Sequence, residues 1–187
     1  MALVFSALAS LDGYTVDSSG SFDWAAPDEE VHAAVNDRER GIGTYLYGRR
    51  MFETMRAWQD MGGDDAPAVI RDYADIWRAA DKIVFSSSLT GVTTPRTTVE
   101  PVFDPAAVRA LVEAAPGDVS VGGPTLAAEA FRAGLVDVVE LYLVPVSVGG
   151  GLSALPTDLV LDLELLEERA FRSGTVLLRY RVSSPAA

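Results

Sequence analysis

Residues Val121–Gly151 read VGGPTLAAEAFRAGLVDVVELYLVPVSVGGG. An apolar strand ending at Val121 runs into Gly122-Gly123. Pro124 then stands near the first position of a helix, where its missing N–H costs nothing. The helix, Pro124–Ala133, stops at Gly134, a residue suited to the left-handed turn that closes a helix. A long apolar run, Val138–Val146, follows, and Gly149-Gly150-Gly151 makes a flexible turn. Strand, glycine turn, helix and strand in this order belong to a layered α/β protein.

The same alternation extends outward. Strand-like runs recur at Leu3–Ala9, Thr44–Tyr47, Lys82–Phe85 and Val119–Val121, short and bounded by Gly, Ser or Asp. That pattern suits strands buried on both faces of a parallel sheet. Leu159–Leu165 and Val176–Val182 alternate more and lie close together, as an antiparallel pair does. Helices are expected over Asp28–Arg40, Arg50–Trp58, Ala66–Ala79 and Pro105–Ala115. The expected architecture is three-layer α/β with a mostly parallel sheet, as a single domain over residues 1–187. Gln59–Pro67 (QDMGGDDAP) reads as a surface loop.

Composition removes several chemistries. The 187 residues contain no cysteine and one histidine, His32. Disulfides, thiolate metal sites, a cysteine nucleophile and any site needing two imidazoles are excluded, and no metal site is expected. The net charge of −12 and the lack of any Lys/Arg-rich run argue against nucleic acid and anionic membranes as partners. The apolar stretch Ala2–Leu11 has no positive flank and is too short for a signal peptide or a span. A cytoplasmic location is expected.

Three strand-to-helix junctions carry residues suited to a nucleotide. In Tyr47-Gly48-Arg49-Arg50-Met51, glycine permits close backbone approach, helix amides face an anion, and arginine supplies forked donors. In Val121-Gly122-Gly123-Pro124-Thr125-Leu126, paired glycines precede helix-start amides able to cradle a pyrophosphate. In Phe85-Ser86-Ser87-Ser88, hydroxyls end a buried strand and could meet a ribose or phosphate. Each junction alone also reads as an ordinary turn. All three lie at carboxyl ends of strands, the edge where open α/β sheets bind ligands. The GxGxxG fingerprint is absent. On the substrate side, Asp12-Gly13 follows the first strand, Phe22 and Trp24 could stack on a flat ring, and His32 could donate a proton.

On these segments, SALASLDGY (Ser6–Tyr14), GTYLYGRRMFETM (Gly43–Met55), ADKIVFSSSL (Ala80–Leu89) and Val121–Gly151, the chain resembles the dihydrofolate reductase-like superfamily, specifically the RibD C-terminal reductase family of riboflavin biosynthesis. The resemblance implies a central eight-stranded sheet, mostly parallel with antiparallel C-terminal strands, and NADPH across the carboxyl ends of its strands. It implies that Gly48, Arg49, Arg50 and Met51 contact the phosphates of the adenosine half. Ser86 and Ser87 would lie beside the 2′-phosphate, and Gly122, Gly123, Pro124, Thr125 and Leu126 would hold the pyrophosphate. Ala7 through Ser10 and Asp12 would lie near the nicotinamide, with Asp12, Trp24 and His32 toward the substrate.

The implied activity is NADPH-dependent reduction of a pyrimidine- or pterin-like heterocycle, with a non-catalytic nucleotide-binding module as the alternative. A homodimer is implied, with Leu141–Val148 and the closing β segment at its interface. Two departures stand out. Dihydrofolate reductases carry a buried carboxylate on the first helix, and here that position falls at or near His32. Relatives often have arginine where Ser87 stands. The zinc deaminase pattern of the bifunctional riboflavin enzymes is absent.

Overall fold

The computed structural model describes residues 1–183. In chain order it builds β1 (Leu3–Ser10), β2 (Tyr14–Asp17), α1 (Glu29–Glu39), β3 (Ile42–Gly48), α2 (Arg49–Met55), α3 (Ala68–Ala79), β4 (Asp81–Phe85) and β5 (Thr97–Glu100). Then come α4 (Pro105–Ala114), β6 (Asp118–Gly122), α5 (Pro124–Arg132), β7 (Val138–Val144), β8 (Gly151–Ser153), β9 (Asp162–Ala170) and β10 (Val176–Ser183). Short 3-10 turns cover Asp23–Ala25 and Arg56–Gln59.

Eight strands form one sheet in the order β5-β4-β3-β6-β1-β7-β10-β9. Every pairing from β5 to β7 is parallel, and β10 and β9 close the sheet antiparallel. This is the expected mostly parallel α/β sheet. Side-chain alternation sorts β3 between two layers: Tyr45 and Tyr47 meet Tyr73 and Trp77 of α3, while Leu46 joins Val108, Val112, Ala127 and Phe131 of α4 and α5. Helix α1 lays Val31 and Ala34 on Tyr142 and Leu177. The α5 helix ends as a Schellman motif: Gly134 N–H donates to the Phe131 carbonyl, Leu135 N–H to the Ala130 carbonyl, and Gly134 has φ +60°.

Three strands gave no sequence signal. β2, β5 and β8 span three or four residues without an apolar run, and their ladders come from the partners that flank them. β9 starts later than Leu159 and continues through the acidic LEERA stretch. On this strand Glu164 pairs with Arg181 across the ladder at 2.5 Å, and Glu167 pairs with Arg38 of α1. β7 lies between β1 and β10, so the sheet's edges are β5 and β9. α2 is shorter than expected and passes into a 3-10 turn at Arg56. Among the described residues no helix is long and apolar enough to cross a membrane.

Two charged side chains are buried in this frame. Lys82, the only lysine, donates to the Trp77 and Ala80 carbonyls at 2.9 Å each and lies over the Trp77 ring. It satisfies carbonyls that the end of α3 leaves open. Glu39, 7% exposed, accepts a 2.8 Å bond from the Tyr45 hydroxyl. Burial pushes the Glu39 carboxyl up to about 7, with Tyr45 opposing and Glu140 reinforcing the rise.

Because the folded carboxyl holds its proton to higher pH than the unfolded one, stability falls as pH rises from the ordinary glutamate range to about 7, and is level above it. Glu39→Gln removes this dependence. Urea unfolding at pH 5 and pH 8 is expected to show the variant gaining about 3 kcal/mol on the wild type between the two conditions. Parallel pH profiles for the two proteins would contradict this account of Glu39.

Candidate functional site

The crevice follows from the strand order. β3 and β6 are neighbours, yet their connections leave in opposite directions: β3 leads through α2 and α3 to β4, and β6 leads through α5 to β7 beyond β1. Such diverging connections open a crevice at the carboxyl ends of the strands. Tyr47 pairs with Gly122, and Gly48 with Phe85, so all three candidate junctions share one row.

Glycine at 122 is a steric requirement. A Cβ there would stand 2.5 Å from Cε1 of Tyr47. That ring cannot retreat, being 2% exposed, stacked on Tyr45 and bonded through its hydroxyl to Trp77 Nε1 at 3.2 Å. Gly123 has φ +88°, and a Cβ on it would meet Met51 Cβ at 3.1 Å. Met51 therefore closes the α2 junction over the α5 junction. Among the described residues no side chain caps α5, whose N-cap is Gly123, and Pro124 has no N–H. The Thr125 and Leu126 amides are then the donors that a helix start leaves unpaired. The Leu126 side chain is in the core, so only its backbone faces a ligand.

The serine junction joins the same edge. Arg49 Nη1 donates to Ser88 Oγ at 3.3 Å, and Arg49 also pairs with Glu53. Ser86 Oγ accepts from the Ser88 and Leu89 amides at 3.3 and 3.1 Å, so it shapes the turn, while Ser87 is exposed. Arg50 is exposed at the start of α2. Glycine backbone, two helix starts, Arg49 and a serine turn thus lie along one edge, with Arg50 exposed beside them.

The β1 end forms the other half of the edge. Ala7 is partly buried against the core cluster. The Asp12 carboxylate accepts from Val148 N–H at 3.1 Å and Gly149 N–H at 2.7 Å, clamping the loop after β1 to the loop after β7. The Ser10 hydroxyl foremost, then the Gly149 and Val148 amides, hold this carboxyl well below the usual range. Asp12 is thus a latch between the two loops. Trp24, half-buried, donates from Nε1 to the Ser21 carbonyl at 3.2 Å.

His32 departs from expectation. It is not on an exposed turn: it is 7% exposed, with Trp58 and Tyr73 rings 6.0 and 5.8 Å away. Burial pushes its pKa down, with Asp72 opposing, so it packs as a neutral ring. Sequence reasoning missed this aromatic contact because Trp58 and Tyr73 come from later elements. It also missed the Asp12 clamp, for which the Gly149 turn was the available signal. Two concavities, 270 Å³ beside α1 and β10 and 490 Å³ at the amino ends of β3–β5, lie away from this edge.

Comparison with known proteins gives a consistent answer. Residues 2–177 match the family model of the RibD C-terminal domain. No curated protein matches the sequence. A candidate riboflavin biosynthesis protein from Shewanella sp. PV-4 superposes with a TM-score of 0.73 at 17% identity, covering 98% of this chain and 100% of that one. A diaminohydroxyphosphoribosylaminopyrimidine deaminase/5-amino-6-(5-phosphoribosylamino)uracil reductase from Thermotoga maritima gives 0.67 at 17%, covering 97% of this chain and 56% of that one. A dihydrofolate reductase from Enterococcus faecalis, complexed with NADP(H) and RAB-propyl, gives 0.62 at 14%, covering 98% and 97%.

The Gly122 geometry makes a contrast that mutagenesis can read. Gly122→Ala forces Tyr47 or β6 to move and is expected to destabilise by about 1–3 kcal/mol. Gly48→Ala should be tolerated, since its Cβ would meet Leu126 Cβ at an ordinary 3.8 Å. Thermal melts of the two variants check this, and equal losses would contradict it.

Proposed function

The chain belongs to the RibD C-terminal domain family, and on that premise we propose that it is a reductase that binds NADPH and reduces a pyrimidine- or pterin-like ring. The observation that carries the reading is the convergence of the Gly48, Gly122 and Ser86 junctions on one crevice. Its donors suit a dinucleotide. The Thr125 and Leu126 amides face the pyrophosphate, and Gly122 and Gly123 let it approach the backbone. Arg49 and Arg50 meet the phosphates of the adenosine half, with Ser86 and Ser87 beside the 2′-phosphate.

The reduced nicotinamide supplies the hydride when bound. The chain contributes positioning and exclusion of water. The Asp12 latch fixes the two loops that border the ring.

The protein acts as a single domain, in the cytoplasm, on a small heterocycle, and pairs as a homodimer. Leu163 and Leu165 on the β9 edge are 37% and 48% exposed, and burying such an edge in a second copy removes an aggregation hazard. Light scattering at micromolar concentration should give twice the chain mass; a monomer mass contradicts the pairing.

The nucleotide reading is tested by titration. NADPH should raise the melting temperature, as a ligand of the native state must. Arg49→Ala combined with Arg50→Ala should weaken NADPH more than NADH, by roughly 1.5–3 kcal/mol for a lost charge-assisted contact. Equal losses would move the arginines to the pyrophosphate. No stabilisation by millimolar NADPH would sink the reductase reading and leave the non-catalytic module.

A further inference from the structure

We infer that the ring-binding half of the edge takes an unphosphorylated heterocycle, uncharged or cationic. The inference rests on the reductase reading above and narrows its substrate class.

Two segments build the β1–β7 half. The first runs from the end of β1 through β2 and the Asp23–Ala25 turn to the start of α1. The second runs from the end of β7 to β8. They are stitched together by Leu11 N–H on the Val146 carbonyl at 2.7 Å, Ala154 N–H on the Gly13 carbonyl at 2.9 Å, and the β2–β8 ladder. From Met1 to Asn36 there is neither lysine nor arginine, while Asp12, Asp17, Asp23, Asp28, Glu29 and Glu30 are acidic. Residues 141–157 contain no charged side chain.

Cations from elsewhere do not fill the gap. Arg172 and Arg169 reach the first turn of α1 from the β9–β10 hairpin, and Glu30 takes both, at 3.1 and 4.0 Å. Arg169 also lies over the Phe171 ring. Arg56 sits at the far end of α2, about 10 Å along the helix axis from the edge. His32 is buried. Backbone donors are committed too: the Val148 and Gly149 amides, a pair able to hold an anion, already hold the Asp12 carboxylate.

A phosphate monoester carries about −1.5 to −2 charge at neutral pH. Set here, it meets the acids of this half, and among the described residues the arginines that reach it, Arg169 and Arg172, are already taken by Glu30. The large apolar side chains this half exposes are Leu11, Phe22 and Leu152, at 66%, 50% and 43%. Charge is thus divided along the edge. Arg49 and Arg50 serve the phosphates of the nucleotide on one side, and the ring side repels any second phosphate. A phosphoribosyl-bearing pyrimidine is the wrong ligand for this surface, and its dephosphorylated counterpart is the right one.

Matched ligand pairs test this on the full chain saturated with NADPH. The probes are 6-ribitylaminouracil with its 5′-phosphate, and neopterin with its monophosphate, each titrated by calorimetry. At least one unphosphorylated probe is expected to bind, with its phosphate weaker by about tenfold or more. The gap should narrow as ionic strength rises from about 0.05 to 0.5 M. Leu11→Arg, at an exposed site beside Asp12, should bring the phosphorylated member close to its partner. A phosphorylated probe binding as tightly as its partner, or binding of neither pair, overturns the inference while NADPH binding stands. Failure of NADPH itself to bind removes the reductase reading, and this inference with it.

Discussion

The ring of Tyr47 occupies the space that a side chain at residue 122 would need. That contact ties the carboxyl ends of β3 and β6 together, and these are the strands whose connections diverge. Its consequences run both ways from the crevice. Toward the core, Tyr47 is fixed by its stack on Tyr45 and its bond from Trp77, and Tyr45 in turn holds Glu39. Toward solvent, the bare glycine backbone lets Met51 close over Gly123 and leaves the start of α5 uncapped by any side chain among the described residues. A buried aromatic thus sets how closely a ligand can approach the main chain.

The edge is chemically asymmetric. The β3–β4–β6 half has arginines, hydroxyls and open helix-start amides, all suited to phosphate. The β1–β7 half has a clamped carboxylate, apolar side chains and acids already paired or capping, such as Asp28 on Val31 N–H. A dinucleotide laid along such an edge would keep its charge at one end, leaving the other for a neutral ring. The Asp12 clamp matters because it ties the loop after β1 to the loop after β7.

Much of this was legible in the sequence where chemistry is local. Pro124 and Gly134 bracketed α5 within a residue, and the glycine and serine junctions fell at strand ends as their turn chemistry requires. The resemblance carried by Val121–Gly151 agreed with the sheet order. What stayed hidden depends on long-range pairing. The β2 and β8 ribbon has no pattern of its own, and β9 was obscured by acids whose partners lie on other elements, Arg181 of β10 and Arg38 of α1. His32 looked like a helix-surface residue because its neighbours Trp58 and Tyr73 come 26 and 41 residues later. Asp12 was legible as a candidate site residue from its place after β1, and only the fold brings the Gly149 turn against it.

The central claim is that the diverging β3–β6 crevice is a nucleotide site. Amide hydrogen exchange with and without NADPH tests it at the atoms that define it. The account predicts slower exchange at Thr125 and Leu126 and through Gly48–Met51 when NADPH is present, with little change at the amino ends of the same strands. Unchanged exchange at Thr125 and Leu126 under saturating NADPH, or protection confined to the β9 edge, would contradict it.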